Sequence, residues 1–91
     1  MAIILTVAGS DSVGGAGVEA DIKAVSSMGA HAAVALTAVT AQNTSRLREI
    51  FPLPAEQVTA QITAVAEDAC ISAVKTGMLY SPRTVRAVAS L

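Results

Sequence analysis

The chain has 91 residues and a net charge of −1; 53% of them are hydrophobic and 14% charged, where an ordinary globular domain carries about 25% charged. That balance excludes a basic nucleic-acid surface, and a single cysteine excludes an internal disulfide. No apolar run reaches the roughly 18 residues of a membrane span, so the expectation is one small cytoplasmic domain with no nucleic-acid or membrane partner.

Residues 3–8 form a short apolar run rich in branched side chains that leads directly into Gly9. This is the pattern of a strand buried on both faces and not of a signal peptide. Residues 9–16 read as a glycine-rich loop. A helix follows from about Gly17 to Met28-Gly29, with Val18, Ile22, Val25 and Met28 on one stripe and Glu19 facing Lys23. Residues 31–39 read as a second buried strand with His31 at its start, and Gln42 opens a polar loop. Residues 49–53 are a short extended piece whose proline suits a sheet edge. Pro54 starts a second helix, with Val58, Ile62, Val65 and Ala69 on one face. Cys70, between apolar neighbours, reads as a small core residue. Residues 71–76 are a short strand ending at Gly77. Ser81 is the cap and Pro82 the first turn of a third helix carrying Val85 and Val88.

The order β-α-β-(β)-α-β-α predicts an α/β fold with a largely parallel sheet and flanking helices. Ligands of such folds bind beyond the carboxyl ends of the strands, which places loops 9–16, 40–46 and 77–80 at the candidate site. The apolar excess is more than so short a chain hides easily. It predicts a cover: a second copy of the chain, another chain or a further C-terminal part.

The loop Gly9-Ser-Asp-Ser-Val-Gly14-Gly15-Ala16-Gly17 is not a Walker A motif, because Gly15 stands where the phosphate-binding lysine is required. A dinucleotide fingerprint is nominal, Gly15-x-Gly17-x-x-Ala20, but Thr40, Ala41 and Gln42 supply no ribose-binding acid at the end of the next strand. A loop that lets backbone approach a small ligand and a plain tight turn remain as further readings. Asp21 falls on the inward stripe of the first helix. A helix-dipole role would be met as well by an outward acid, so a polar ligand group is the better explanation of an inward one.

Ala8-Gly9-Ser10-Asp11-Ser12 followed by Gly14-Gly15-Ala16-Gly17 and Ala20-Asp21-Ile22-Lys23 resembles the opening signature of the hydroxymethylpyrimidine/phosphomethylpyrimidine kinases, of the ribokinase-like superfamily. Thr37 to Thr44 resembles their second motif and Lys75-Thr76-Gly77-Met78-Leu79 their third. The resemblance implies a partial ribokinase-like fold in which residues 1–91 are the N-terminal, substrate-binding part of the kinase domain and the ATP-binding C-terminal part is absent. It implies phosphoryl transfer from ATP, with Mg2+, to the hydroxymethyl group of 4-amino-5-hydroxymethyl-2-methylpyrimidine, in thiamine biosynthesis. Carried over by position, Gln42 reads the pyrimidine edge, Gly9, Ala16, Thr40 and Met78 line the ring pocket, and Asp21 lies near the hydroxymethyl side. Lys75 reads as a structural ion-pair partner. The family's catalytic aspartate lies in a Gly-x-Gly-Asp motif that does not occur here, so no catalytic residue and no metal ligand is assigned. The chain is expected to be inactive alone, with a pyrimidine as its small-molecule partner and a homo-oligomer or a complementing C-terminal chain as its cover. A non-catalytic pyrimidine-binding or regulatory module and part of a pyridoxal-type kinase are the alternatives.

Overall fold

The computed structural model describes all 91 residues. The elements are β1 (Ile3–Ser10), α1 (Gly17–Ser27), β2 (His31–Gln42), β3 (Leu47–Pro52), α2 (Ala55–Asp68), β4 (Ala73–Thr76) and α3 (Pro82–Ala89). They make one four-stranded sheet in the order β3-β2-β1-β4. β1 runs parallel to β2, with Ile3 opposite His31, and parallel to β4, with Ile4 opposite Ala73. β3 is antiparallel to β2.

β1 is central, and its residues from Leu5 to Gly9 are buried. Strand alternation sends Leu5 and Val7 to one face, where they meet Ala35 of β2 and Val58 of α2 in the core, with Ile62, Leu79 and Val88 packed around them. Burying each such side chain contributes about 1.5–3 kcal/mol. Thr6 points to the opposite face and donates to Asp21 of α1. The two faces of the sheet are thus covered by α2 with α3 and by α1.

Several elements differ from the sequence expectation, each for a local reason. β1 runs on to Ser10, which pairs with Val39 of β2, and β2 runs on to Gln42, because β3 pairs along its end as far as Gln42 opposite Leu47. The β3 ladder begins only at Ala38, which leaves the outer edge of Leu36 without a strand partner. Gln61 of α2 fills that place: its Oε1 accepts from Leu36 N–H at 2.8 Å and its Nε2 donates to the Leu36 carbonyl at 2.9 Å. Pro54 caps α2 in extended conformation and is not its first helical residue. Within the α1 stripe only Val18 and Val25 are buried, while Ile22 is 40% and Met28 78% exposed. α1 packs mainly over β1 and β2, and Met28 already lies in its C-cap. Cys70 is exposed and not a core residue, because it lies on the surface connection between α2 and β4.

β4 is the other edge of the sheet, and all four of its residues are exposed. Beside it an apolar groove of about 670 Å³ is lined by Leu5 and Val7, Ile62, Val74, Val88 and Leu91. No helix is long and apolar enough to cross a membrane.

Candidate functional site

The loops after β1, β2 and β4 converge at the carboxyl ends of the three parallel strands, and short-range polar bonds fix each of them. After β1, the buried Asp11 folds the glycine loop around itself. Its Oδ1 accepts from Val13 N–H at 3.0 Å, its Oδ2 from Gly15 N–H at 2.9 Å, and its carbonyl from Gly14 N–H at 2.9 Å. Glu19, expected on the outside of α1 facing Lys23, instead reaches back to accept from the Ser10 hydroxyl and from Asp11 N–H. Lys23 donates to the Gly14 carbonyl at 3.1 Å. Loop anchoring takes both side chains away from the helix-surface pair. Partial burial pushes the Glu19 carboxyl up, but the bonds from Ser10 and the backbone outweigh it, so the acid sits below its ordinary value. Gly17 is required at the turn into α1. Its φ is +60°, and a Cβ there would lie 2.2 Å from the Gly9 carbonyl oxygen.

At the end of β2, the Thr40 hydroxyl donates to the Ser10 carbonyl at 2.6 Å and accepts from Gln42 Nε2 at 2.9 Å. Gln42 N–H donates to the Ser12 hydroxyl at 2.8 Å, and that hydroxyl donates to the Gln42 carbonyl. After β4, Gly77 N–H donates to the Val7 carbonyl at 2.8 Å, and the Thr37 hydroxyl donates to the Met78 carbonyl at 2.7 Å. A Cβ on Gly77 would fall 2.8 Å from Ala8 Cβ, so the chain leaves β4 in contact with β1.

Between these loops lies a cavity of about 270 Å³. Gly9, Ala16, Thr40, Gln42 and Met78 all line it; Gly9 comes from the end of β1, Thr40 and Gln42 from the end of β2, Met78 from the loop after β4 and Ala16 from the glycine loop. Asp21 does not line it. Its carboxylate accepts from the Thr6 hydroxyl at 2.6 Å and from Lys75 Nζ at 3.0 Å through both oxygens. Lys75 is thus the ion-pair partner expected of it, and its side chain also reaches the cavity wall. Partial burial pushes the Asp21 carboxyl up; the bonds from Thr6 and Lys75 and the lysine charge outweigh it and leave the acid below its ordinary value.

The wall also contains Ser10, Asp11, Gly77 and Tyr80, none of which the sequence marked as ligand contacts. Ser10, Asp11 and Gly77 lie inside the motifs already singled out, so their positions were signalled. Tyr80 carries only a weak signal, as one of two aromatics at the end of a carboxyl-end loop. Its backbone conformation, with φ +71°, is invisible in the sequence.

The phosphomethylpyrimidine kinase family model matches residues 11–91. The chain belongs to this family. It is 51% identical over 89 residues to a hydroxymethylpyrimidine/phosphomethylpyrimidine kinase of Streptomyces coelicolor, covering 98% of this chain and 33% of the relative. It superposes on a phosphomethylpyrimidine kinase of Clostridium difficile with a TM-score of 0.95 at 41% identity, over 99% of this chain and 39% of the other. It also superposes on a Bacillus subtilis pyridoxal kinase, solved as an ADP complex, with a TM-score of 0.90 at 33% identity, over 99% of this chain and 36% of the other. The chain spans about a third of the length of the curated relatives it matches. The fold is that part of a ribokinase-like kinase, and the phosphomethylpyrimidine kinase family implies ATP and a divalent metal. No three His, Cys, Asp or Glu side chains converge to hold a metal ion, and the one cationic side chain of the cavity, Lys75, is paired with Asp21.

Proposed function

We propose that residues 1–91 form the acceptor-binding part of a hydroxymethylpyrimidine/phosphomethylpyrimidine kinase, holding the pyrimidine whose hydroxymethyl group receives a phosphoryl group from ATP in thiamine biosynthesis. The observation that carries the proposal is the convergence of Gly9, Ala16, Thr40, Gln42 and Met78 on one cavity. The chemistry of these groups suits an aminopyrimidine. The Gln42 amide offers a donor and an acceptor side by side, matching the ring's amine and neighbouring nitrogen. Gly9 and Ala16 admit a flat ring close to backbone, and the Met78 thioether gives a polarizable contact to it. Asp21 acts here through Lys75, whose ammonium it holds at the cavity wall.

Transfer depends on positioned charge around the phosphates and a base for the attacking hydroxyl. The two charged side chains of the cavity are already engaged, Asp11 with the glycine loop and Lys75 with Asp21, so the 91 residues bind and orient the acceptor and do not phosphorylate it alone. The remaining elements of the kinase, or a second copy, cover the β4 edge and its groove, and the protein acts in the cytoplasm. The test pairs calorimetric binding of 4-amino-5-hydroxymethyl-2-methylpyrimidine with an ADP-release assay using magnesium ATP. Binding without turnover is expected. Turnover on the order of 1 per second or more overturns the division of labour, and absence of binding overturns the acceptor assignment.

A pyridoxal-type acceptor is the second reading, favoured by the match to pyridoxal kinase over 99% of the chain. Tighter binding of pyridoxal than of the pyrimidine would select it. A non-catalytic pyrimidine-binding module remains the outcome if binding persists and no complementing kinase part restores turnover.

A further inference from the structure

Tyr80 is the one residue other than glycine with a positive φ, 71°, a conformation that crowds the Cβ of any L residue. Its ring lies directly on Gly9. A Cβ at position 9 would fall 2.6 Å from Tyr80 Oη and 3.0 Å from Cε2, so the phenol occupies the space that a side chain on β1 would need. The ring lines the same cavity as Gln42 and Met78.

Anchors on both sides hold the backbone in this state. Upstream, the Met78 carbonyl accepts from the Thr37 hydroxyl at 2.7 Å, and Leu79 packs on the core. Downstream, Ser81 caps α3 by accepting from Thr84 N–H at 3.1 Å, and Thr84 is 2% exposed. Backbone strain persists only where the surroundings over-determine it, and it concentrates at ligand-binding positions. A ring whose only service was to cover Gly9 would not need to be held in the left-handed region at the rim of a cavity.

We infer that Tyr80 is a specificity-determining residue: its ring, locked by the strained loop between β4 and α3, is the wall that limits the size of the ring ligand. This rests on the proposed acceptor site. The cavity of about 270 Å³ falls just below the roughly 300–1,000 Å³ of pockets for drug-sized ligands, a size suited to one small ring. Pyridoxine carries four ring substituents, and 4-amino-5-hydroxymethyl-2-methylpyrimidine carries three. The wall therefore favours the pyrimidine, and removing it relaxes that preference.

The experiment is calorimetric titration of the 91-residue chain with the pyrimidine and with pyridoxine, which lacks an aldehyde and forms no Schiff base with Lys75. Parent, Tyr80→Phe, Tyr80→Ala and Tyr80→Gly are compared. Tyr80→Phe keeps the wall and should leave the affinity ratio within about twofold. Tyr80→Ala and Tyr80→Gly remove it and should shift the ratio toward pyridoxine by about tenfold, 1.4 kcal/mol. Glycine tolerates the left-handed region and alanine does not, so Tyr80→Gly should also melt about 4–8 °C above Tyr80→Ala. An unchanged ratio in a folded glycine variant overturns the inference and leaves the acceptor site standing. Equal melting of the alanine and glycine variants overturns the locked backbone. A parent that binds neither probe overturns the acceptor site and this inference with it.

Discussion

Gln42 Nε2 donates to Thr40 Oγ1 at 2.9 Å, and the same hydroxyl donates to the Ser10 carbonyl at 2.6 Å. The amide at the end of β2 is therefore tied through one hydroxyl to the end of β1. One N–H of Gln42 is used in this way, and its Oε1 and second N–H remain for a ligand. Gln42→Leu should leave the ring amine and nitrogen of a bound aminopyrimidine unpaired, at a loss of about 1–3 kcal/mol in binding. Calorimetry on parent and variant measures it, and equal affinities would reduce Gln42 to a strand-end residue.

Thr40→Val keeps the shape and removes the hydroxyl. Thr40 is buried, so the Ser10 carbonyl loses its partner inside the structure, and stability should fall by about 1–3 kcal/mol. The Gln42 amide becomes free to rotate, so pyrimidine affinity should fall as well. Thr40→Ser restores the hydroxyl and should recover both. Recovery of stability without recovery of binding would show that Thr40 does not orient Gln42.

Gly17 and Gly29 both have positive φ, +60° and +80°, but only Gly17 has a backbone oxygen 2.2 Å from where a Cβ would sit; around Gly29 there is nothing within 4 Å. Gly29→Ala should cost only the left-handed penalty, roughly 1–2 kcal/mol. Gly17→Ala must also push β1 and the glycine loop apart, and should cost more and abolish pyrimidine binding. Denaturant midpoints at equal slope separate the two. Equal costs would mean that the contact between Gly17 and Gly9 relaxes freely.

The fold was legible because its signals are local, whereas the five residues that line the cavity were implied by the resemblance to the kinase family, whose motifs place them. Apolar runs marked the parallel strands, two of them ending at Gly9 and Gly77, and Ser81-Pro82 marked the start of α3. What escaped depends on partners distant in sequence. Glu19 has the spacing of a helix-surface acid, and only the return of the loop makes it an anchor for Ser10 and Asp11. Asp21 was expected beside a ligand group, but its carboxylate bonds to Thr6 and Lys75, 15 and 54 residues away, and does not line the cavity. Cys70 has apolar neighbours in sequence and solvent in space. Tyr80 owes its position to anchors at Thr37 and Thr84 that no local pattern reveals.

Acid should unfold the chain through Glu19 and Asp21. Both carboxyls lie below their ordinary values in the folded state. The unfolded chain then binds more protons than the folded one in the window between the two values, so stability rises with pH there. The contribution is fully present above the unfolded values near 4 and is lost as pH falls through the folded ones. Melting temperature should therefore drop between about pH 5 and pH 3. Asp21→Asn and Glu19→Gln should each flatten that slope. A slope as steep as the parent's in both variants would place the acid sensitivity elsewhere.

β4 presents an open parallel edge with Val74 57% exposed, next to the groove that Leu5, Ile62, Val88 and Leu91 line. Parallel sheets are normally covered on both faces and paired along their length, and an exposed apolar edge is a template for another chain. The chain should therefore self-associate at micromolar concentration, or bind the remaining part of a homologous kinase supplied as a separate polypeptide. Light scattering gives the mass, and hydrogen exchange at Val74 to Thr76 reports whether the β4 edge is the contact. Val74→Lys places a charge in the groove and should return the chain toward monomer without disturbing the pyrimidine cavity, which Val74 does not line. A parent that is monomeric, binds no apolar dye and shows no added protection at β4 with the complementing polypeptide would mean that the edge needs no cover. The apolar excess would then be no more than scattered surface alanine.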